Sequence, residues 1–133
     1  MSAPETVVVA TRTPTSTEAQ ARTHAFVIDK LTANGGSDQG PMASEYLLAA
    51  LASCQITTAH KIAAKRRQPI DGITITATVT FDGDLMDNIL LDIEVRGGPG
   101  DEDLETILRL TERNCTVSRA LNVPVARNVR RAA

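Results

Sequence analysis

The chain contains no tryptophan, and its aromatic side chains are limited to Phe26, Tyr46 and Phe81. That scarcity excludes a core organised by stacked rings, so the interior must be aliphatic. Cysteine is as rare. Only Cys54 and Cys115 are present, too few for the disulfide frameworks that hold small secreted domains together. No segment reaches the roughly 18 uninterrupted apolar residues that a membrane-crossing helix needs. The opening stretch MSAPETVVVATRTPT has no basic segment followed by a long apolar one, so no secretory leader is expected. A cytoplasmic location follows as the expectation, with no membrane partner. In that reducing compartment any bond between the two thiols is a redox or catalytic event.

Charge of one sign is also lacking. A net charge of −2 leaves no electrostatic footprint for nucleic acid, and Arg127, Arg130 and Arg131 read as a solvated strand end. Two cysteines and two histidines, His24 and His60, make four ligands in principle. Neither C-x-x-C nor H-x-x-x-H spacing occurs, so no metal and no bound cofactor are expected.

What is present is a balanced globular composition. The 133 residues are 42% apolar and 23% charged, which suits a single domain over 1–133. There is no internal repeat, and the breaks fall at LTANGGSDQGP, DGDLMDN and GGPGDED. TVVVAT and THAFVID are β-rich stretches separated by the polar RTPTSTEAQAR, which predicts an amino-terminal antiparallel pair. From about Met42 to Arg67 nothing breaks a helix, and Pro69 stops it. ITITATVTF then alternates, with Ile73, Ile75, Ala77, Val79 and Phe81 on one face and four threonines on the other. NILLDIEVRG alternates likewise, with Ile89, Leu91, Ile93 and Val95 on its apolar face, so the two pair as an antiparallel meander. After the glycine-rich break, Asp101, Glu102 and Asp103 suit a helix start, where carboxylates meet the positive end of the dipole. Leu104, Ile107, Leu108, Thr111 and Cys115 form the inward stripe of that second helix, and VPVARNV reads as a terminal edge strand because of Pro124. The expected fold class is α+β.

The thiols then pose a question of role. At about 100° per residue, Leu47, Leu51, Cys54, Thr58 and Ile62 share one face of the long helix, which places Cys54 on the apolar side. A buried free cysteine behaves as a small hydrophobe. A thiol about three turns from the helix start gains little from the dipole, so a nucleophilic Cys54 needs activation from elsewhere. Both readings stand on the residues alone.

The pattern GGSDQGP, then SEYLLAALASC, then ERNCTVS places the second cysteine 61 residues after the first. This pattern resembles the OsmC/Ohr family, and within it the YhfA-type branch. In that family a glycine-containing loop leads into a central helix written roughly S/N-P-E-x-L-L-x-A-A-L-A-x-C, and a second cysteine sits in a C-x-V-S stretch. The resemblance implies an intertwined homodimer with its active sites at the subunit interface, and reduction of organic hydroperoxides. In it Cys54 is the peroxidatic thiolate, Cys115 the resolving thiol, and an external dithiol the reductant. It also implies an arginine in the amino-terminal hairpin that activates the thiolate. Arg22, beside THAFVID, is the first choice, with Arg12 the alternative.

Two departures from the family pattern stand out. The family glutamate lies ten residues before the first cysteine, where this chain has Ser44, and the proline before it is replaced by Ala43. Glu45, nine residues before Cys54, is carried as the displaced candidate, although a regular helix puts it about 180° from the thiol. The alternative to the peroxidase is a non-catalytic dimer of the same fold that holds an apolar small molecule in the interface cleft.

Overall fold

The computed structural model describes residues 3–133, and the chain divides into two compact units, Met1–Leu47 and Leu48–Ala133. In the first, strands β1 (Val8–Thr13), β2 (Ser16–Ala21) and β3 (His24–Ile28) form an antiparallel sheet in the order β1-β2-β3. This corrects the expected direct pairing of TVVVAT with THAFVID. The polar segment between them is itself the central strand. STEAQA has weak β propensity, and its strand is set by the tight turns on both sides. At the first turn, Thr13 Oγ1 accepts the backbone N–H groups of Thr15 and Ser16, at 3.3 and 3.0 Å. At the second, Arg22 takes a left-handed φ of 54°.

The loop after β3 is tied down by one buried acid. Asp29 is 3% exposed, and its carboxylate accepts the N–H groups of Lys30 at 2.7 Å and Gln39 at 3.1 Å. Those bonds, the Gln39 amide above all, hold its pKa below the usual carboxylate range against the opposing effect of burial, with Arg12 a further positive neighbour. A glycine is required at Gly40 because a Cβ there would collide with the Val27 carbonyl. Tyr46 closes this unit: its hydroxyl donates to the Val27 carbonyl at 3.0 Å, and its ring packs on Phe26 at 5.2 Å between centroids.

The long helix α1 spans Ala43–Lys65, close to the predicted range. Beyond Leu48, β4 (Gly72–Asp82) and β5 (Leu85–Arg96) pair antiparallel as expected. Ile89, Leu91, Ile93 and Val95 are each no more than 2% exposed. They cluster with Leu51, Ala59 and Ala63 of α1 and with Leu104, Ile107 and Leu108 of α2 (Asp101–Asn114). Each such Leu, Ile or Val side chain contributes about 1.5–3 kcal/mol on burial, against about 0–1 kcal/mol for an exposed ion pair, so β5 is the spine of the unit.

A short helix α3 (Thr116–Ala120) follows, and then β6 (Val125–Arg131). β6 is an edge strand, as Pro124 predicted, and runs parallel to β5 because the intervening helices carry the chain back along the sheet.

The three arginines of β6 are not simply solvated, which corrects the expectation. Arg127 makes a two-point pair with Glu105, at 2.7 and 3.2 Å, and a third bond to Glu112 at 2.6 Å. Arg130 meets Glu94, and Arg131 meets Asp101. The acidic face of α2 and the basic face of β6 neutralise each other, which composition alone cannot reveal. No helix among the described residues is long and apolar enough to cross a membrane.

Candidate functional site

The two thiols are brought together within the second unit, and both are free. Cys54 comes from the middle of α1. The buried stripe of that helix is Leu51, Gln55, Ala59 and Ala63, a four-residue repeat. From Leu51 onward the stripe runs one residue away from the predicted face, with Gln55, Ala59 and Ala63 buried rather than Cys54, Thr58 and Ile62. Cys54 therefore lies half-buried at the margin of the core. The Gln55 side chain beside it is 4% exposed, and its Nε2 has no hydrogen-bond partner among the described residues.

Cys115 is fully buried and joins two elements. It ends α2, its N–H bonded to the Thr111 carbonyl, and it opens α3, its Sγ accepting the Ser118 N–H at 3.4 Å. A thiol thus occupies the capping position usually held by Ser, Thr, Asp or Asn. The first amides of a helix have no internal partner. Those of Thr116 and Val117 favour the Cys54 thiolate, and Thr58 Oγ1 approaches the same sulfur at 3.9 Å.

This arrangement separates the two acidities. Burial raises the Cys54 pKa, but the Val117 amide, the Cys115 thiol, the Thr58 hydroxyl and the Thr116 amide outweigh it, so Cys54 is more acidic than an ordinary thiol. For Cys115 burial dominates, the neighbouring Cys54 adds to it, and its pKa is raised. Of the two sulfurs, Cys54 is the one that ionises more readily. The pair can therefore take up an oxidising equivalent at Cys54 and pass it to Cys115 as a disulfide. The backbone amides carried no signal in the sequence beyond the C-x-V-S spacing itself.

The other expected site residues lie in the first unit. Arg22 is exposed in the β2–β3 turn, where its carbonyl accepts from Gln20 Nε2. Arg12 lies at the irregular end of β1, with Nη1 3.5 Å from Ser16 Oγ. Glu45 has a structural role: its Oε1 accepts the Met42 N–H at 2.9 Å, the reciprocal half of a capping box at the start of α1. Ser44 lines a pocket of about 510 Å³ together with Asp29, Thr15 and Thr17. His24 opens β3 and His60 lies within α1. No group of three or more His, Cys, Asp or Glu gathers among the described residues.

The family model described as OsmC-like protein matches residues 36–129, a span that includes both cysteine segments. Among solved structures, an OsmC-like protein from Mycoplasma pneumoniae superposes with a TM-score of 0.89 at 15% identity, covering 100% of both chains. An organic hydroperoxide resistance protein from Elizabethkingia anophelis gives 0.78 at 15% identity, covering 99% of this chain and 100% of its own. The organic hydroperoxide resistance protein OhrB of Bacillus subtilis gives 0.72 at 17% identity, covering 96% and 98%. At these identities the likeness establishes the shared fold. No curated protein matches the sequence.

Proposed function

The chain belongs to the family of OsmC-like proteins, and from that premise we propose that it is a thiol-dependent peroxidase that reduces organic hydroperoxides in oxidative-stress defence. The observation that carries this reading is that the fold brings the chain's two free cysteines together, Cys54 half-buried on α1 and Cys115 buried at the α2–α3 junction. The Cys54 thiolate attacks the terminal peroxide oxygen, the O–O bond breaks, and the alcohol leaves as Cys54 becomes a sulfenic acid. The Cys115 sulfur then attacks Cys54 Sγ and expels water, and the disulfide forms. An external dithiol returns both thiols to the reduced state, so no bound cofactor is needed.

The organic preference is supported by the aliphatic character of the core. The activating arginine is Arg22 or Arg12 of the amino-terminal sheet, and Arg12 has acidic Asp29 as a neighbour. The assembly is a homodimer, as in the family resemblance. Stoichiometric cumene hydroperoxide added to reduced protein tests the chemistry by mass spectrometry. The expected product is an intramolecular Cys54–Cys115 disulfide, absent in Cys54→Ser. Thiols that stay free while the folded protein retains an apolar ligand would leave the binding alternative in its place.

A further inference from the structure

The amino-terminal sheet singles out one of its two arginines. β1 and β2 pair Thr11 with Thr17 and then Thr13 with Ser16, so Arg12 is an extra residue on β1 between the two pairs. Such a bulge leaves one residue outside the ladder and re-aims its side chain. Here Arg12 Nη1 donates to Ser16 Oγ at 3.5 Å, and Ser16 is 3% exposed, its hydroxyl also bonded to Thr13 Oγ1 at 2.6 Å. β2 and β3 pair Thr17 with Ile28, and the same register carried one residue further sets the buried Asp29 opposite Ser16. Arg12, Ser16 and Asp29 thus succeed one another across one end of the sheet, and the Arg12 charge favours ionised Asp29. The Asp29 oxygens accept one amide each, from Lys30 and Gln39, and an ionised carboxylate has acceptor capacity beyond two such bonds. Position 44, where the family pattern has a glutamate, is Ser44, which lines one pocket with Asp29 and Lys30. Arg22 differs, since in the β2–β3 turn its carbonyl, not its guanidinium, is engaged.

We propose that Asp29 supplies the negative charge absent at position 44, and that with Ser16 it positions Arg12 as the arginine that serves Cys54. Asp29 is then a positioning residue, acting on the thiol only through Arg12. For what the arginine does, the inference rests on the peroxidase reading above. A guanidinium on a flexible side chain loses rotamer freedom when it is held, and a buried carboxylate with a hydroxyl beside it fixes its direction before substrate arrives. The two amide bonds keep Asp29 ionised and in place, so the loop after β3 and the arginine share one anchor.

The test reads the pH profile of Cys54 alkylation by iodoacetamide in the reduced chain, which needs no peroxide. Through space alone, loss of the Asp29 charge would favour the Cys54 thiolate and move the profile to lower pH. Loss of a positioned guanidinium moves it to higher pH. D29N and R12A should therefore each shift the profile to higher pH, and D29N/R12A should shift it no further than R12A alone. D29N/S44E should recover the wild-type profile, because a carboxylate at position 44 enters the same pocket, whereas a loop weakened by the lost amide bonds is not repaired from there. With cumene hydroperoxide, D29N should form the Cys54–Cys115 disulfide about tenfold more slowly than wild type. A D29N profile that stays in place or moves to lower pH, an equal further shift in the R12A background, or no recovery in D29N/S44E overturns the inference. If D29N does not fold by circular dichroism, S16A decides, since it breaks the link to Arg12 and leaves the Lys30 and Gln39 bonds intact. A shift to higher pH in S16A then supports the positioning, and an unmoved profile overturns it. When these negative results accompany a disulfide formed by cumene hydroperoxide in wild type, the peroxidase reading still stands. Wild-type thiols that stay free under cumene hydroperoxide overturn that reading, while the alkylation profiles still decide whether Asp29 positions Arg12.

Discussion

Cys115 closes one helix and opens the next, and this position shapes the chemistry of Cys54. The Cys115 sulfur takes the Ser118 amide, and the amides at the start of α3, Val117 foremost, favour the Cys54 thiolate. The raised acidity of Cys54 and the lowered acidity of Cys115 predict an order of alkylation. Below the ordinary thiol range, iodoacetamide should label Cys54 well ahead of Cys115, and the gap should close as pH rises and both become thiolates. Peptide mapping at a series of pH values checks this, and equal slow labelling at neutral pH contradicts it. Repeating the series in Arg22→Ala and Arg12→Ala identifies which arginine, if either, adds to the amides.

The cap gives a second prediction at the same scale. Cys115→Ser keeps an acceptor for the Ser118 N–H, whereas Cys115→Ala removes it. The alanine variant should therefore be less stable than the serine variant by about 1 kcal/mol in urea unfolding, while both lose the disulfide. Equal stabilities would show that the sulfur contributes nothing as a cap.

At the scale of the element, α1 depends on its first turn. Glu45 is engaged with the Met42 N–H, so Glu45→Ala should lower stability by about 0.5–1 kcal/mol and change peroxide turnover less than twofold. Ser44→Glu restores the family's glutamate position and should raise turnover under saturating dithiol. A large loss in Glu45→Ala with no gain in Ser44→Glu would mean that Glu45 takes part in the chemistry.

The sequence was readable where a periodicity had one apolar face. β4, β5 and α2 follow their patterns closely, down to Ile89, Leu91, Ile93 and Val95 as the buried set. It was unreadable where structure comes from turns or from long-range pairing. β2 is polar and reads as a connection, and the parallel course of β6 depends on a crossover that no local pattern encodes. α3 is five residues long, too short to leave a periodic trace. The cysteine pair was visible only through the spacing of whole motifs, and the amides that tune it were not visible at all, since every residue type supplies the same N–H.

At the scale of the whole molecule, the exposed surface bears on assembly. β1 is an edge of its sheet, and all six of its residues are exposed. Val7, Val8 and Val9 are 53%, 65% and 54% exposed, an apolar run on an edge able to accept a further strand or a covering surface. Soluble chains protect such edges with charge or with a partner, and a second copy of this chain is the partner that the family resemblance implies. Sedimentation at low micromolar concentration should therefore give about twice the 14.2 kDa of one chain. Val8→Lys places a charge on that edge and should shift the population towards monomer. Both cysteines lie within Leu48–Ala133, so the variant should still form the Cys54–Cys115 disulfide with diamide. If the peroxide site needs residues from both subunits, the same variant should lose most of its hydroperoxide turnover. A wild-type monomer with full turnover would overturn the dimeric site, and a Val8→Lys dimer with unchanged turnover would move the interface away from β1.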